Sequence, residues 1–367
     1  MNRTVFLFCI LFGFAAARAS AQLPPAAQAL YDSAWAQDSL IVQYAINNGA
    51  QIIATPDSNS FYVQWFPVGS TPNATPLVVS LHGSDGYAFH EFFSWHARAQ
   101  LHGCGVIALQ WYRPDHSFPY DYFPDDTLYR YIDSALTGIS YPSGKALLHG
   151  FSRGSARSYA VVFNDIQSGK NYFCTTISNA GGAELTYPLY TQIDTGLYGP
   201  NVFAGKRWNL FCGGQDTNPT QSGCIGMTNT QAWLQGQGAT VDIFIQDSAL
   251  GHNGFQLQSS FAYKDSILDN YLSCYAGTLS AGEELHKTAI SVFPNPFADE
   301  TRIRSELFLK NATLSVYNAL GQEIKRIKNI SGQEIKLRRN NLPAGIYWIR
   351  LAEDNQAGSV VRLIISD

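Results

Sequence analysis

The sequence predicts an α/β domain, with a mostly parallel sheet flanked by helices, followed by a small all-β sandwich domain. Two observations support this fold class. From about residue 75, short apolar runs alternate with helical patterns, which is typical of βαβ units. From about residue 291, apolar and polar residues alternate, with Gly, Asn and Pro between the runs, which is typical of antiparallel strands.

The predicted strands of the first domain are short and mostly apolar. They comprise residues 77–83, 104–112, 145–150, 171–178, 207–214 and 240–247. The helical patterns that alternate with them comprise residues 88–101, 125–138, 155–165, 228–235 and 257–274. Because reactive side chains of such a sheet collect where its strands end, we expect a site in the loops at the carboxyl edge.

The N-terminus has the pattern of a secretory signal peptide, predicted to comprise residues 1–21. Arg3 precedes an apolar run at residues 5–17, and the small residues Ala19 and Ala21 are spaced for cleavage. The apolar run is too short to anchor the chain in a bilayer. We therefore expect export through the periplasm to the medium or the cell surface, with no transmembrane segment in the mature chain.

The composition limits the partners and the cofactors. The 367 residues carry a formal net charge of −4, so a nucleic-acid partner is not expected. No cysteine or histidine spacing predicts a metal site, and no cofactor is expected.

Five cysteines remain after removal of the signal peptide. In an exported chain Cys212 and Cys224 are the short-range pair that we predict to form a disulfide, although spacing does not determine connectivity. The full set is Cys104, Cys174, Cys212, Cys224 and Cys274.

Residues 149–156 read HGFSRGSA, in which Gly150 and Gly154 frame Ser152. A strand that turns abruptly into a helix strains the residue at the corner, and it brings the positions two residues away too close for a Cβ atom. A predicted strand before the motif and a predicted helix after it provide this context. We therefore predict that Ser152 is a nucleophile at a strand-to-helix elbow.

A serine hydroxyl becomes a nucleophile when a base takes its proton, and the base needs a carboxylate that fixes its tautomer. Asp216 and His252 each follow a predicted strand, so we expect them to lie at the same sheet edge as Ser152. We predict Asp216 as the acid and His252 as the base. Asp242 and Asp247, on or just after the strand before His252, are alternative acids or surface residues.

The elbow and the order Ser, Asp, His along the chain make residues 75 to about 275 resemble the α/β-hydrolases. The resemblance implies an α/β-hydrolase sheet in which Ser152 is the nucleophile, Asp216 the acid and His252 the base.

The same resemblance implies an oxyanion hole made of backbone N–H groups. One donor would be the N–H of Arg153, which follows the nucleophile. The second would be the N–H of Ser84, because His82-Gly83 before it is similar to the family's His-Gly pair.

The segment 110–126 follows a predicted strand at the same sheet edge and is rich in aromatic residues. We predict that Trp111 and Tyr112 bind substrate, as part of an apolar wall around an acyl or aromatic group. The alternative is that these rings pack on the base of their own loop. The other rings of the segment are Phe118, Tyr120, Tyr122 and Phe123.

Three motifs after residue 288 resemble the C-terminal sorting domains of the type IX secretion system of Bacteroidetes. They are PNPF at 294–297, VYNALGQEI at 316–324, and LPAGIYWIRL at 342–351 before the terminal VVRLIIS. The resemblance implies a β-sandwich that addresses the chain to the type IX machinery. A carbohydrate-binding or adhesive β-domain is the alternative.

The predicted organisation is therefore a signal peptide, a catalytic domain at 22–275, a linker at 276–290 and a sorting domain at 291–367. The predicted function is a secreted serine hydrolase that cleaves carboxylic esters, small or polymer-linked, through an acyl-enzyme. One alternative is a secreted serine peptidase on the same fold. Another is a surface-binding protein on a hydrolase scaffold that has lost its activity.

Overall fold

The structure is a computed structural model that describes residues 23–113, 121–277, 290–318, 323–352 and 359–366. The chain divides into two compact units at residue 278. The predicted signal peptide, most of the predicted linker, and the rings of Phe118 and Tyr120 lie outside the described residues.

The first unit is built on one sheet of eight strands. Their bounds are β1 Gln51–Ala54, β2 Phe61–Trp65, β3 Leu77–Leu81, β4 Gly105–Leu109, β5 Ala146–Phe151, β6 Phe173–Asn179, β7 Arg207–Gly213 and β8 Thr240–Asp247. The order across the sheet is β1-β2-β4-β3-β5-β6-β7-β8. β2 pairs antiparallel with both of its neighbours, and the pairs from β4 to β8 are parallel.

Eight α-helices accompany this sheet in the described part of the unit. Their bounds are α1 Pro25–Gln37, α2 Ser39–Asn47, α3 Ala88–His102, α4 Asp125–Gly138, α5 Arg153–Gln167, α6 Pro188–Asp194, α7 Cys224–Gly236 and α8 Phe261–Gly277. Five of them were predicted from the helical patterns of the sequence.

Strand β3 shows why both faces of the sheet need helices. Its side chains alternate between two cores, with Leu77, Val79 and Leu81 in the core shared with α4 and α5, and Val78 in the core shared with α3 and α8. Burying one such side chain completely stabilises the fold by about 1.5–3 kcal/mol. The predicted parallel sheet flanked by helices is therefore confirmed.

The hairpin β1–β2 and the helices α1, α2 and α6 were not predicted from the sequence. Every side chain of β2 is buried, so this strand lacks the apolar–polar alternation that marks a strand with one exposed face. Its position is set by antiparallel pairing with β4, where Tyr62 lies opposite Leu109. Helix α6 has only seven residues and begins at Pro188, which is tolerated in a first helical turn.

The second unit is all β in its described residues. Its strands are β9 Ile290–Phe293, β10 Glu300–Tyr317, β11 Glu323–Arg338, β12 Gly345–Ala352 and β13 Ser359–Ile365. The long strand β10 pairs antiparallel with β9 through its first half and with β12 through its last residues, while β11 pairs along both halves. Ile303, Val316, Ile349 and Leu363 are buried in one core. The predicted separate β domain is therefore confirmed.

None of the helices in the described part of the chain combines the length and the apolar character needed to cross a membrane.

Candidate active site

Ser152 stands at the corner between β5 and α5, with φ 51° and ψ −115°. This left-handed backbone is strained for a residue with a side chain. A Cβ atom on Gly150 would lie 2.3 Å from the Gly154 carbonyl oxygen, and one on Gly154 would lie 2.4 Å from the carbonyl oxygen of Leu81. The two glycines therefore frame Ser152 because the backbones of the elbow and of β3 pass too close for any larger residue.

This packing predicts an unequal effect of adding one methyl group at two glycines. We expect Gly154→Ala to lower the free energy of unfolding by at least about 2 kcal/mol, since the contacted Leu81 backbone cannot rotate away. Gly138→Ala in α4 is the matched control, because its added Cβ meets no atom within 4 Å. The control should be neutral or stabilising by up to about 1 kcal/mol. Thermal unfolding measures both, and equal losses would contradict the packing argument.

Three side chains from different loops form one hydrogen-bonded chain. His252 follows β8, and its Nε2 lies 2.9 Å from the Oγ of Ser152. On the other side of the ring, Nδ1 lies 2.7 Å from Oδ2 of Asp216, which follows β7. An Nδ1–H that donates to the carboxylate leaves Nε2 as the acceptor for the serine proton.

The carboxylate of Asp216 is held on both oxygens. Oδ1 accepts the backbone N–H of Asn218 at 2.9 Å and the hydroxyl of Ser222 at 3.0 Å, and the side chain is only 2% exposed. Sequence reasoning did not find Asn218 and Ser222. Their position in the loop that follows the acid was the available signal, since Asp side chains commonly accept an N–H two residues ahead.

The two alternative acids bind elsewhere. Asp242 accepts from the guanidinium of Arg207 at 2.8 Å. Asp247 accepts from the hydroxyl of Tyr263 at 2.6 Å and from the N–H of Ala249 at 2.9 Å. Of the three candidate carboxylates, Asp216 is the one that the structure brings to the imidazole of His252.

Four cysteines form two disulfides. Cys212 pairs with Cys224, as predicted, and this bond spans the loop that carries Asp216. The second bond joins Cys174 on β6 to Cys274 on α8, a pairing that the sequence left open. Cys104 is free and buried, and burial raises the pKa of its thiol to about 12. Cys104 is therefore a neutral core residue rather than a nucleophile.

The loop after β3 passes close to the serine. Gly83 lies directly against the elbow, since a Cβ at this position would be 3.1 Å from the Cβ of Ser152. The Gly83 carbonyl accepts from Nδ1 of His82 at 2.9 Å and from the N–H of Gly86 at 3.3 Å. Because a trans peptide directs its C=O and N–H to opposite sides, these bonds also fix the direction of the Ser84 N–H.

His82 is buried and neutral. Burial lowers the pKa of its imidazole to about 4, although the hydrogen bond to Gly83 acts in the opposite direction. Nδ1 carries the proton that binds Gly83, and Nε2 accepts the N–H of Trp111 at 3.2 Å. The other donor predicted from the sequence, the N–H of Arg153, is the first of α5 and has no acceptor within the helix.

The pocket beside the serine has a volume of about 480 Å³. It lies between the first turns of α5, the loop after β6 with α6, and the loop after β7. The larger side chains that line it outside the hydrogen-bonded chain are Arg153, Arg157, Glu184, Tyr187, Tyr190 and Gln221. Of these six, Arg153 was named from the sequence, and Ser84, which was also named, lines the pocket too.

The predicted substrate contacts Trp111 and Tyr112 do not line this pocket. Trp111 is 1% exposed, and its indole N–H donates to the His82 carbonyl oxygen at 3.1 Å. Tyr112 packs its ring against Tyr87 and Tyr122. This corrects the prediction: the described rings of the segment pack on one another and on Tyr87 and Tyr131, and Trp111 and Tyr112 are held away from the pocket by these contacts.

Two general rules could have predicted some of the pocket-lining residues that were not found from the sequence. Arg157 lies one helical turn after Arg153, so both project from one side of α5. Tyr187 and Tyr190 lie in the segment after β6, and the carboxyl end of this strand meets the sheet edge where Ser152 stands.

Comparison with known families identifies the second unit. The family model that is described as the secretion system C-terminal sorting domain matches residues 291–366. Residues 291–366 form a sorting domain of the type IX secretion system. No match to a curated protein was found for the sequence.

The first unit is similar in structure to several solved esterases, at low sequence identity. A fungal esterase from Rhizomucor miehei is 12% identical, with 68% of this chain and 91% of that chain covered and a TM-score of 0.48. The esterase from Pyrobaculum calidifontis is 14% identical, with 69% and 94% covered and a TM-score of 0.44. The Bacillus cereus carboxylesterase is 14% identical, with 64% and 99% covered and a TM-score of 0.40.

The strand order of the first unit, and the position of Ser152 directly after β5, are those of an α/β-hydrolase. The first unit therefore has the α/β-hydrolase fold.

Proposed function

We propose that the protein is an exported serine hydrolase that cleaves carboxylic esters through an acyl-enzyme. The observation that carries this proposal is the hydrogen-bonded chain from Ser152 through His252 to Asp216 at a strained elbow. This arrangement activates a hydroxyl at neutral pH. No part of the proposed reaction needs a cofactor.

In the first half of the proposed reaction, His252 Nε2 takes the proton of Ser152 as Oγ attacks the ester carbonyl carbon. The carbonyl oxygen becomes an oxyanion that accepts from the N–H groups of Ser84 and Arg153. When the tetrahedral intermediate collapses, the imidazolium returns the proton to the leaving alkoxide. The products are an alcohol and an acyl group on Ser152.

In the second half, His252 takes a proton from water, and the resulting nucleophile attacks the acyl carbon. The same two N–H groups bind the second oxyanion, and on its collapse the C–Oγ bond breaks, the imidazolium returns its proton to Oγ of Ser152, and the carboxylic acid is released. Asp216 stays ionised throughout and stabilises the imidazolium in both halves.

The experiment that tests this function is labelling with a fluorophosphonate followed by assays of the full chain on a substrate panel. We expect peptide mapping to find the phosphonate on Ser152, and turnover of esters but not of peptides. Turnover of peptides alone would favour the serine peptidase. An unlabelled protein without turnover would favour a binding protein on the same scaffold.

The sorting domain predicts that export and chemistry can be separated. The residues of the proposed reaction all precede residue 253, so a chain that ends at residue 277 should keep its ester turnover when made in another host. In a Bacteroidetes host the same truncation should stay inside the outer membrane. Cell fractionation and activity assays measure the two outcomes.

The matched control for this prediction is the full-length Ser152→Ala variant, which should be inactive and exported normally. Export of the truncated chain at the level of the full chain would contradict the sorting role. Loss of binding to an insoluble polymer with normal export would instead favour a carbohydrate-binding domain.

A further inference from the structure

The pocket beside Ser152 contains two arginines whose charges are compensated differently. Arg157 lies 3.6 Å from the carboxylate of Asp125, and its guanidinium lies 4.1 Å from the ring centroid of Tyr187. The hydroxyl of Tyr187 donates to the same carboxylate. The positive charge of Arg157 is therefore compensated by Asp125 within the pocket wall.

The guanidinium of Arg153 has no such carboxylate. It is exposed and stacks over the ring of Tyr122 at 4.3 Å, and its Nε donates to the Oγ of Ser84 at 3.1 Å. Among the described residues, no Asp or Glu oxygen lies within 4.0 Å of it. The stacking and the Nε bond hold the guanidinium in place while its terminal N–H groups are left for another acceptor.

Two acidic residues share the pocket with Arg153. Asp216 is fully engaged by His252, Asn218 and Ser222. Glu184 is exposed and lines the same pocket, where it accepts from the side-chain amide of Gln221 at 3.2 Å. Among the described residues, Arg153 is thus the positive group of the pocket without a paired carboxylate, and Glu184 limits how much negative charge the pocket tolerates.

We propose that Arg153 selects esters that carry one carboxylate on the part of the substrate that enters this pocket. A guanidinium binds a carboxylate through two parallel hydrogen bonds, and such bonds are stronger than those between neutral groups. The nearby Glu184 favours a single negative charge over a dianion such as phosphate. This inference rests on the proposed esterase function, since the selected molecule must be turned over at Ser152.

The test uses pairs of esters that differ in one charge. 4-Acetoxybenzoate and 4-acetoxybenzamide differ in the leaving group, and mono-4-nitrophenyl terephthalate and its methyl ester differ in the acyl group, with a carboxylate that cannot reach its own ester carbonyl. The readout for the full chain is the ratio of kcat/KM for the anionic ester to that for the neutral ester. We expect this ratio to exceed one in at least one pair.

Three variants then assign the preference to side chains. Arg153→Gln should lower the ratio about tenfold or more, because it removes a charge-assisted hydrogen bond. Arg157→Gln should change the ratio much less, because Asp125 already compensates that charge. Glu184→Gln should raise the ratio. Higher salt should lower the ratio of the unmodified chain, since the guanidinium is exposed.

The turnover of the neutral ester in each pair distinguishes failure of the selection role from failure of the proposed esterase function. Because the backbone N–H of Arg153 is a proposed oxyanion donor, a substitution there can slow both esters, and an unchanged ratio would overturn the selection role. Absence of anionic preference in both pairs would also overturn it. Failure of the proposed function itself would differ, because the neutral esters would not be turned over and fluorophosphonate would not label Ser152.

Discussion

Ser152→Ala is expected to reduce kcat for ester turnover by about 10⁴-fold or more. The substitution removes only the Oγ that accepts the acyl group, and Nε2 of His252 then has no nucleophile to activate. The alanine keeps a Cβ at the same strained backbone position, so we expect the midpoint of thermal unfolding to change little. Initial rates with a neutral aryl ester measure the loss.

Ser248→Ala is the matched control for this prediction. Its side chain is exposed in the turn after β8, four residues before His252. The control should retain the turnover of the unmodified chain. Full activity of the Ser152 variant, or phosphonate labelling at another serine, would refute the assignment of the nucleophile.

Asp216→Asn is expected to reduce kcat by about 10³–10⁴-fold. The carboxylate accepts a hydrogen bond from the Nδ1–H of His252, which keeps Nε2 free to accept from Ser152. An amide in its place can donate to Nδ1, and the ring would then carry its proton on Nε2, where it cannot act as a base. The amide also removes the charge that stabilises the imidazolium.

Asp247→Asn tests the alternative acid with the same chemical change. The carboxylate of Asp247 binds Tyr263 and Ala249, whereas that of Asp216 binds His252, so substitution of Asp247 should leave kcat almost unchanged. A large loss in the Asp247 variant with a small loss in the Asp216 variant would reverse the assignment. Kinetic assays and unfolding midpoints of both variants are the measurements.

Much of the candidate site was predictable because its signals are local. Gly150, Ser152 and Gly154 lie within five residues, and a strand-to-helix corner imposes its own steric demands on them. Asp216 and His252 were predicted because each follows a strand that ends at the same edge. The contacts of Asp216 with Asn218 and Ser222 are also local, and an Asx-type reading of this loop would have found one of them.

The pocket was not predictable in the same way, because its walls depend on how loops from separate strands lie beside one another. The segment 110–126 ends at the correct sheet edge and is rich in aromatic rings. Trp111 is nevertheless buried, with its backbone N–H and its indole N–H both bound to His82. The pocket is lined instead by Glu184, Tyr187 and Tyr190. No periodicity or composition distinguishes these two directions.

The sequence by itself determined the alternation of strands and helices, the change to β structure near residue 291, and the elbow that frames Ser152. These are properties of neighbouring residues, and local sterics and hydrophobic pattern specify them. Only the tertiary structure decided that Cys174 pairs with Cys274, that Asp216 rather than Asp242 or Asp247 meets His252, and that Arg153 has no paired carboxylate in the part of the chain that the structure describes. Each of these depends on distances of a few ångströms between segments far apart in the chain, which packing of the whole unit sets.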